Sequence, residues 1–91
     1  MTTTGNAEQA VLEQLREELA EAGLGEGFEL TMESSWGDID VDSIDVIEIA
    51  SAMEDRLEIE IDDTLLRTIK GVGDMVRAIV ALQAQQAEPA A

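Results

Sequence analysis

No cysteine and no histidine occur in the 91 residues. Disulfide bridges, thiolate catalysis and the usual zinc ligands are therefore excluded. Because the polypeptide owns no thiol, any thioester chemistry would have to use a sulfur attached after synthesis. Aromatic residues are almost as scarce, with one Phe and one Trp, so the 45% hydrophobic content rests on Leu, Ile, Val, Met and Ala. That composition suits helix-on-helix packing better than a sheet. Positive charge is the third shortage: five Lys and Arg face twenty-one Asp and Glu, for a formal net charge of -16. From Glu17 to Asp55 there are thirteen acids and no Lys or Arg. Such a surface repels phosphate backbones and argues against nucleic acid as a partner. Partners should present basic surfaces, drawn in by a long-range field that weakens as salt rises. No run approaches ~18 apolar residues, and Met1-Thr2-Thr3-Thr4-Gly5 lacks the basic and apolar segments of a signal peptide. The expectation is a cytoplasmic monomer without membrane contact, a single domain over residues 1–91 ordered from about residue 6 to about 86 with frayed ends.

What is present centres on Asp38 to Leu57, which reads Asp38-Ile39-Asp40-Val41-Asp42-Ser43-Ile44-Asp45 and continues Val46-Ile47-Glu48-Ile49-Ala50-Ser51-Ala52-Met53-Glu54-Asp55-Arg56-Leu57. Asp42 suits a helix N-cap, and the acids at Asp42 and Asp45 suit the positive end of the helix dipole. The helix is predicted to begin at or next to Ser43, leaving that hydroxyl exposed where an anion is welcome. At about 100° per residue, Val46, Ile49, Ala50, Met53 and Leu57 share the stripe that packs on a core. Ile44 and Ile47 point the other way, beside Glu48, Ser51 and Asp55, with Glu54 at the edge. Isoleucines ringed by carboxylates form a greasy, acidic patch for a partner.

Around this stretch the chain reads as helices and one long loop. Asn6, with Gln9 three residues on, suggests a capping box, and Val11, Leu12, Leu15, Leu19 and Ala22 repeat at helical spacing, so helix one is predicted from about Ala7 to Ala22. Gly23, Gly25 and Gly27 stop it. The stretch to Val41 is then a loop long enough to need a function or its own pins, for which Phe28, Leu30, Met32, Trp36 and Ile39 are the candidates. Trp36 reads as core packing. Glu58-Ile59-Glu60-Ile61 alternates like a strand but has nothing to pair with, so it reads as linker. Asp62 or Asp63 caps a short third helix ending near Ile69, with Leu65, Leu66 and Ile69 inward. Gly71 and Gly73 bracket Val72 before a last helix whose stripe is Val72, Val76, Ile79 and Val80, flanked by Met75 and Leu82. Glu88-Pro89 ends the order. The fold class is all-α: a four-helix bundle of three longer helices and one short one, with the long loop between helices one and two.

Asp42-Ser43-Ile44 followed by Val46-Ile47-Glu48 resembles the Asp-Ser-Leu site of acyl carrier proteins of the discrete bacterial type. Further matches are the run Met53-Glu54-Asp55-Arg56-Leu57-Glu58-Ile59-Glu60-Ile61-Asp62-Asp63, similar to that family's acidic helix end and Ile-Pro-Asp turn, and Ile69-Lys70-Gly71-Val72-Gly73-Asp74, similar to its Thr-Val-Gly-Asp entry to the last helix. The similarity extends from Ala7 to about Leu82. It implies the same four-helix fold and a non-catalytic role. It also implies that Ser43, within the motif Asp42-Ser43-Ile44, receives a covalent 4'-phosphopantetheine arm from CoA through a phosphopantetheinyl transferase using magnesium. The arm's thiol would hold acyl groups as thioesters. Acyl-loading enzymes, ketosynthases and other acyl-transfer enzymes would dock basic residues on Ile44, Ile47, Glu48, Ser51, Glu54 and Asp55. An acyl chain would enter between helices two and three, lined by Met53, Leu57, Leu66, Ile69 and Met75.

Blander readings stand beside these. Ser43 alone reads as a serine that merely caps a helix, and Glu48, Glu54 and Asp55 as a solvated face. Asp38, Asp40 and Asp42 mimic the opening of a calcium loop, but Ser43 stands where the sharp turn needs Gly and Ile49 where a bidentate Glu is required, so no metal site is assigned. Catalysis by the carboxylates lacks a complementary nucleophile or base. Three departures from the family bear on pathway. Ile44 replaces the usual Leu, and Ser-Ile is common in peptidyl carriers of nonribosomal synthetases, but Asp40-Val41-Asp42-Ser43 lacks the Gly-Gly-His/Asp-Ser stretch of those carriers. Ser51 occupies a docking position that is apolar in housekeeping fatty-acid carriers, and Asp62 replaces the turn proline. Fatty-acid, polyketide and lipopeptide biosynthesis remain open, with a peptidyl carrier or an unmodified acidic interaction module as alternatives.

Overall fold

The computed structural model describes residues 3–87 as four helices in the order α1 (Thr3–Glu21), α2 (Ser43–Leu57), α3 (Asp63–Thr68) and α4 (Val72–Ala87), with a 3-10 turn at Gly37–Ile39 inside the long loop. The described residues hold no strand, only an isolated bridge between Ser35 and Gly71. The all-α expectation holds, and α1 packs against both α4 and α2. Leu15, Leu19, Met53, Met75, Val76 and Ile79 are wholly buried at its centre. Each lies on the inward stripe of an amphipathic helix, the arrangement that lets helices share one apolar interior.

Helix ends follow local chemistry. The Gly23 and Leu24 amides donate back to the Ala20 and Leu19 carbonyls at 3.0 and 2.8 Å, with Gly23 at φ +73°, which closes α1 in a Schellman turn. The start of α1 differs from expectation: the helix already runs through Asn6, so Asn6 is not a cap, and Gln9 donates to Glu13 one turn on at 3.2 Å. Asp62 caps α3 by accepting from the Leu65 amide at 2.8 Å. Gly73 lies inside the first turn of α4 rather than before it. In α4 the inward stripe is centred on Met75, which is wholly buried, while Val80 is only half-buried. Glu88-Pro89 lies outside the described residues.

The long loop is held along most of its course. Arg16 donates from Nε and Nη2 to the Leu30 carbonyl at 3.1 and 2.7 Å, tying the loop to α1. Further on, the Trp36 amide donates to the Lys70 carbonyl at 3.2 Å and the Val72 amide to the Ser34 carbonyl at 2.9 Å, which stitches the loop to the α3–α4 junction. Glycine is required there, since a β-carbon at Gly71 would overlap the Ser34 carbonyl and one at Gly73 the Met32 carbonyl. Of the five expected pins, Trp36 and Ile39 are buried and Leu30 and Met32 half-buried. Phe28 is not a pin: it is 49% exposed, in a turn where its amide bonds to the Gly25 carbonyl. The linker after α2 contains no strand, as expected, but its Ile59 and Ile61 belong to the core.

Candidate functional site at the start of α2

Ser43 is the first residue of α2 and is exposed. Asp42 caps the helix, accepting from the Asp45 amide at 2.9 Å, while the Asp45 carboxylate accepts from the Asp42 amide at 3.3 Å. This reciprocal box already satisfies the cap, so the capping reading of Ser43 is removed. The Ser43 hydroxyl has no hydrogen-bond partner among the described residues, whereas Ser34 and Thr68 each spend theirs on backbone carbonyls. A free hydroxyl at the amide-rich end of a fifteen-residue helix stands where backbone amides favour an anion.

Beside it opens a cleft of about 490 Å³. Its α2 side is formed by Asp42, Ser43, Val46 and Ile47, and its α3 side by Asp63, Leu66 and Arg67, with Ile69 just beyond. Trp36 and Val41 come from the loop. The Trp36 indole N–H donates to the Ile69 carbonyl at 3.2 Å, so the ring presents its apolar body to the cleft with its polar atom satisfied. Of the five residues named for an acyl pocket, Leu66 and Ile69 border this cleft, Met53 and Met75 are wholly buried in the core, and Leu57 packs against it half-buried. Sequence reasoning missed Trp36, Val46 and Arg67 as cleft residues. The i, i+4 spacing of Asp63 and Arg67 could have shown them on one face of α3.

The outward face of α2 is open. Ile44 and Ile47 are 67% and 56% exposed, and Glu48, Ser51 and Asp55 beside them are exposed as well. Glu54 differs. It is half-buried, and its carboxylate accepts from the Ile61 amide at 2.7 Å, fastening the linker to α2. Among the described residues no group of three or more Asp or Glu is placed to hold a metal ion. In the Asp38–Asp42 loop, the Asp38 carboxylate accepts from the Ser35 amide at 3.3 Å and that of Asp42 is taken by its cap.

The chain is thus a small helical domain with an exposed hydroxyl at a helix start beside an apolar cleft. The family model for the phosphopantetheine attachment site matches residues 9–79. The acyl carrier proteins of two strains of Streptococcus pneumoniae are each 37% identical over 67 residues, covering 74% of this chain and 88% of theirs. The chain belongs to the acyl carrier protein family, and the prosthetic group this implies is a covalently attached 4'-phosphopantetheine. The residues present fit such a group, with the hydroxyl accessible, helix-start amides beside it and an apolar cleft adjoining. No helix among the described residues is long and apolar enough to cross a membrane.

Proposed function

We propose that Ser43 is the attachment residue and that the chain carries acyl groups between biosynthetic enzymes. The observation that carries this reading is the unpartnered, exposed Ser43 hydroxyl, relieved of capping by the Asp42–Asp45 box. During loading by a phosphopantetheinyl transferase, the Ser43 oxygen forms a bond to phosphorus and gives up its proton as the bond from that phosphorus to the nucleotide half of CoA breaks. Once attached, the arm supplies the thiol that the polypeptide lacks and holds cargo as a thioester. The carrier is a substrate at the loading step and catalyses nothing itself. Ile44, Ile47, Glu48, Ser51 and Asp55 form the docking face, with the isoleucines as apolar anchors and the acids steering basic partners. Glu54, committed to the Ile61 amide, is at most peripheral to it. Ser51 and the absence of a turn proline at Asp62 favour a discrete carrier of polyketide or lipopeptide assembly, working as a cytoplasmic monomer, over the housekeeping fatty-acid carrier.

Intact mass after incubation of the full chain with CoA, magnesium and a broad-specificity transferase tests the attachment. The expected result is a gain of one phosphopantetheine that is absent in Ser43→Ala, a variant whose melting temperature should match the parent because Ser43 is exposed and unbonded. No gain with several transferases would leave an unmodified acidic interaction module.

A further inference from the structure

Most of the few cations in this chain are committed to partners within the fold. Arg16 pairs with Glu13 and holds the Leu30 carbonyl, Arg56 pairs with Glu17 and Glu18, and Arg77 pairs with Asp74. The side chains of Arg67 and Lys70 form no ion pair and no hydrogen bond among the described residues, the Lys70 amide alone donating to Asp74. Lys70 lines a separate cleft of about 300 Å³ together with Ser35 and Asp74. Arg67 is the only Lys or Arg lining the cleft that contains Ser43. The other charged groups of that cleft are Asp42, whose carboxylate is held by the Asp45 amide, and Asp63, one turn before Arg67 on α3 yet not ion-paired with it. An anion introduced at Ser43 would meet repulsion from Asp42 and Asp45, and a single uncommitted guanidinium in the cleft that answers it.

We propose that Arg67 is a positioning residue for the phosphodiester formed on Ser43, taking its anionic oxygens and laying the arm toward α3 over Trp36, Leu66 and Ile69 rather than out into solvent. This rests on Ser43 being the attachment residue. The guanidinium presents two parallel N–H donors that match two phosphate oxygens, a geometry an ammonium lacks. The helix-start amides offset part of the local acidity, and Arg67 adds direction, since its charge stands on one wall of the cleft only.

The test compares the full-length parent, Arg67→Lys and Arg67→Gln, each converted to the phosphopantetheine form with CoA and a broad-specificity transferase. Circular dichroism should show equal helix content, because the Arg67 side chain is exposed and forms no hydrogen bond or ion pair among the described residues. On conversion of the parent, the backbone amide resonances of Leu65 to Ile69 should shift, and the phosphorus-31 resonance of the attached form should depend on salt. In Arg67→Gln both responses should be lost, and Arg67→Lys should retain part of them. Loading rate adds an opposite-sign check. Removing a positive charge alone should speed encounter with a basic transferase, so a slowing of about threefold in Arg67→Gln, of the size expected of one exposed ion pair, supports a contact with the transferred phosphate. If Arg67→Gln reproduces the amide and phosphorus responses of the parent, the positioning role is overturned while the attachment stands. If no variant gains mass, the attachment reading itself has failed and this inference with it.

Discussion

The two ends of α2 are built in opposite ways. At its start the only side-chain bonds among the described residues are local, between Asp42 and Asp45, and Ser43 and Ile44 are left exposed. At its end three other segments converge. Arg56 reaches Glu17 and Glu18 on α1, Glu54 holds the Ile61 amide, and Gln86 of α4 donates to the Glu58 carbonyl at 2.7 Å. One end is anchored to the rest of the molecule, so the other can stay open without loosening the helix. On the proposed function, stability and function fall on different turns of one helix, and substitutions should separate them.

The largest expected effect lies at the anchored end. Met53 is wholly buried, so Met53→Ala should cost about 2–5 kcal/mol in chemical denaturation, while its folded fraction is still loaded at Ser43. Loss of loading in proportion to residual folded protein would keep the two ends distinct. A loading defect exceeding the folding defect would join them. Glu54 comes next. Glu54→Ala leaves the partly buried Ile61 amide without its acceptor and should cost about 1–3 kcal/mol, whereas Glu54→Gln keeps an oxygen there and should recover much of it. Neither change should slow acyl transfer as much as Glu48→Lys on the proposed docking face. A slowing by Glu54→Gln equal to that of Glu48→Lys would return Glu54 to the partner surface.

At the open end the effect is smaller. Asp42→Ala removes the cap and should cost about 1 kcal/mol, and Asp42→Asn, which keeps an acceptor for the Asp45 amide, should cost much less. An equal loss in both would mean that charge at the helix start, not the hydrogen bond, holds the cap.

The open end was legible in the sequence because its signals are local. Asp42 as cap, the start at Ser43 and the two faces of α2 all follow from spacing within one helix, and the capping of α3 by Asp62 does too. What escaped depends on contacts between distant segments. Nothing near Trp36 says that its ring borders the Ser43 cleft, since that placement needs its bonds to Lys70 and Ile69 more than thirty residues away. That Met53 and Met75 sit at the bundle centre and not at the surface cleft likewise depends on how α1, α2 and α4 pack together. The alternation at Ile59 and Ile61 suggests a strand but names no partner, and it is the Glu54 carboxylate, seven residues back, that fastens the segment to α2 with both isoleucines in the core. Phe28 misled because hydrophobicity alone says nothing about a turn whose glycines at 25 and 27 are both left-handed.

The smallest expected effect, and the one that most sharpens the contrast, is at Arg56. Its guanidinium pKa is pushed above its ordinary value, first by the hydrogen bond it donates to Glu17 and then by the one it donates to Glu18. A raised value stabilises the fold at every pH below the ordinary one and is lost only as pH climbs through the raised one, so from this side the link stays constant over the neutral and mildly alkaline range. Arg56→Gln should therefore lower the melting temperature by less than Met53→Ala, Glu54→Ala or Asp42→Ala, by the same amount across that range, and the difference should shrink in high salt. The two acids are not equivalent. The side chain of Glu18 is 17% exposed and that of Glu17 59% exposed, so without Arg56 the more shielded Glu18 carboxylate loses more. Adding Glu18→Gln to Arg56→Gln should restore more stability than adding Glu17→Gln. Equal recovery would mean that the anchor works through the general acidity of α1 rather than through this specific pairing, and the contrast between the ends of α2 would then rest on Glu54 and Gln86 alone.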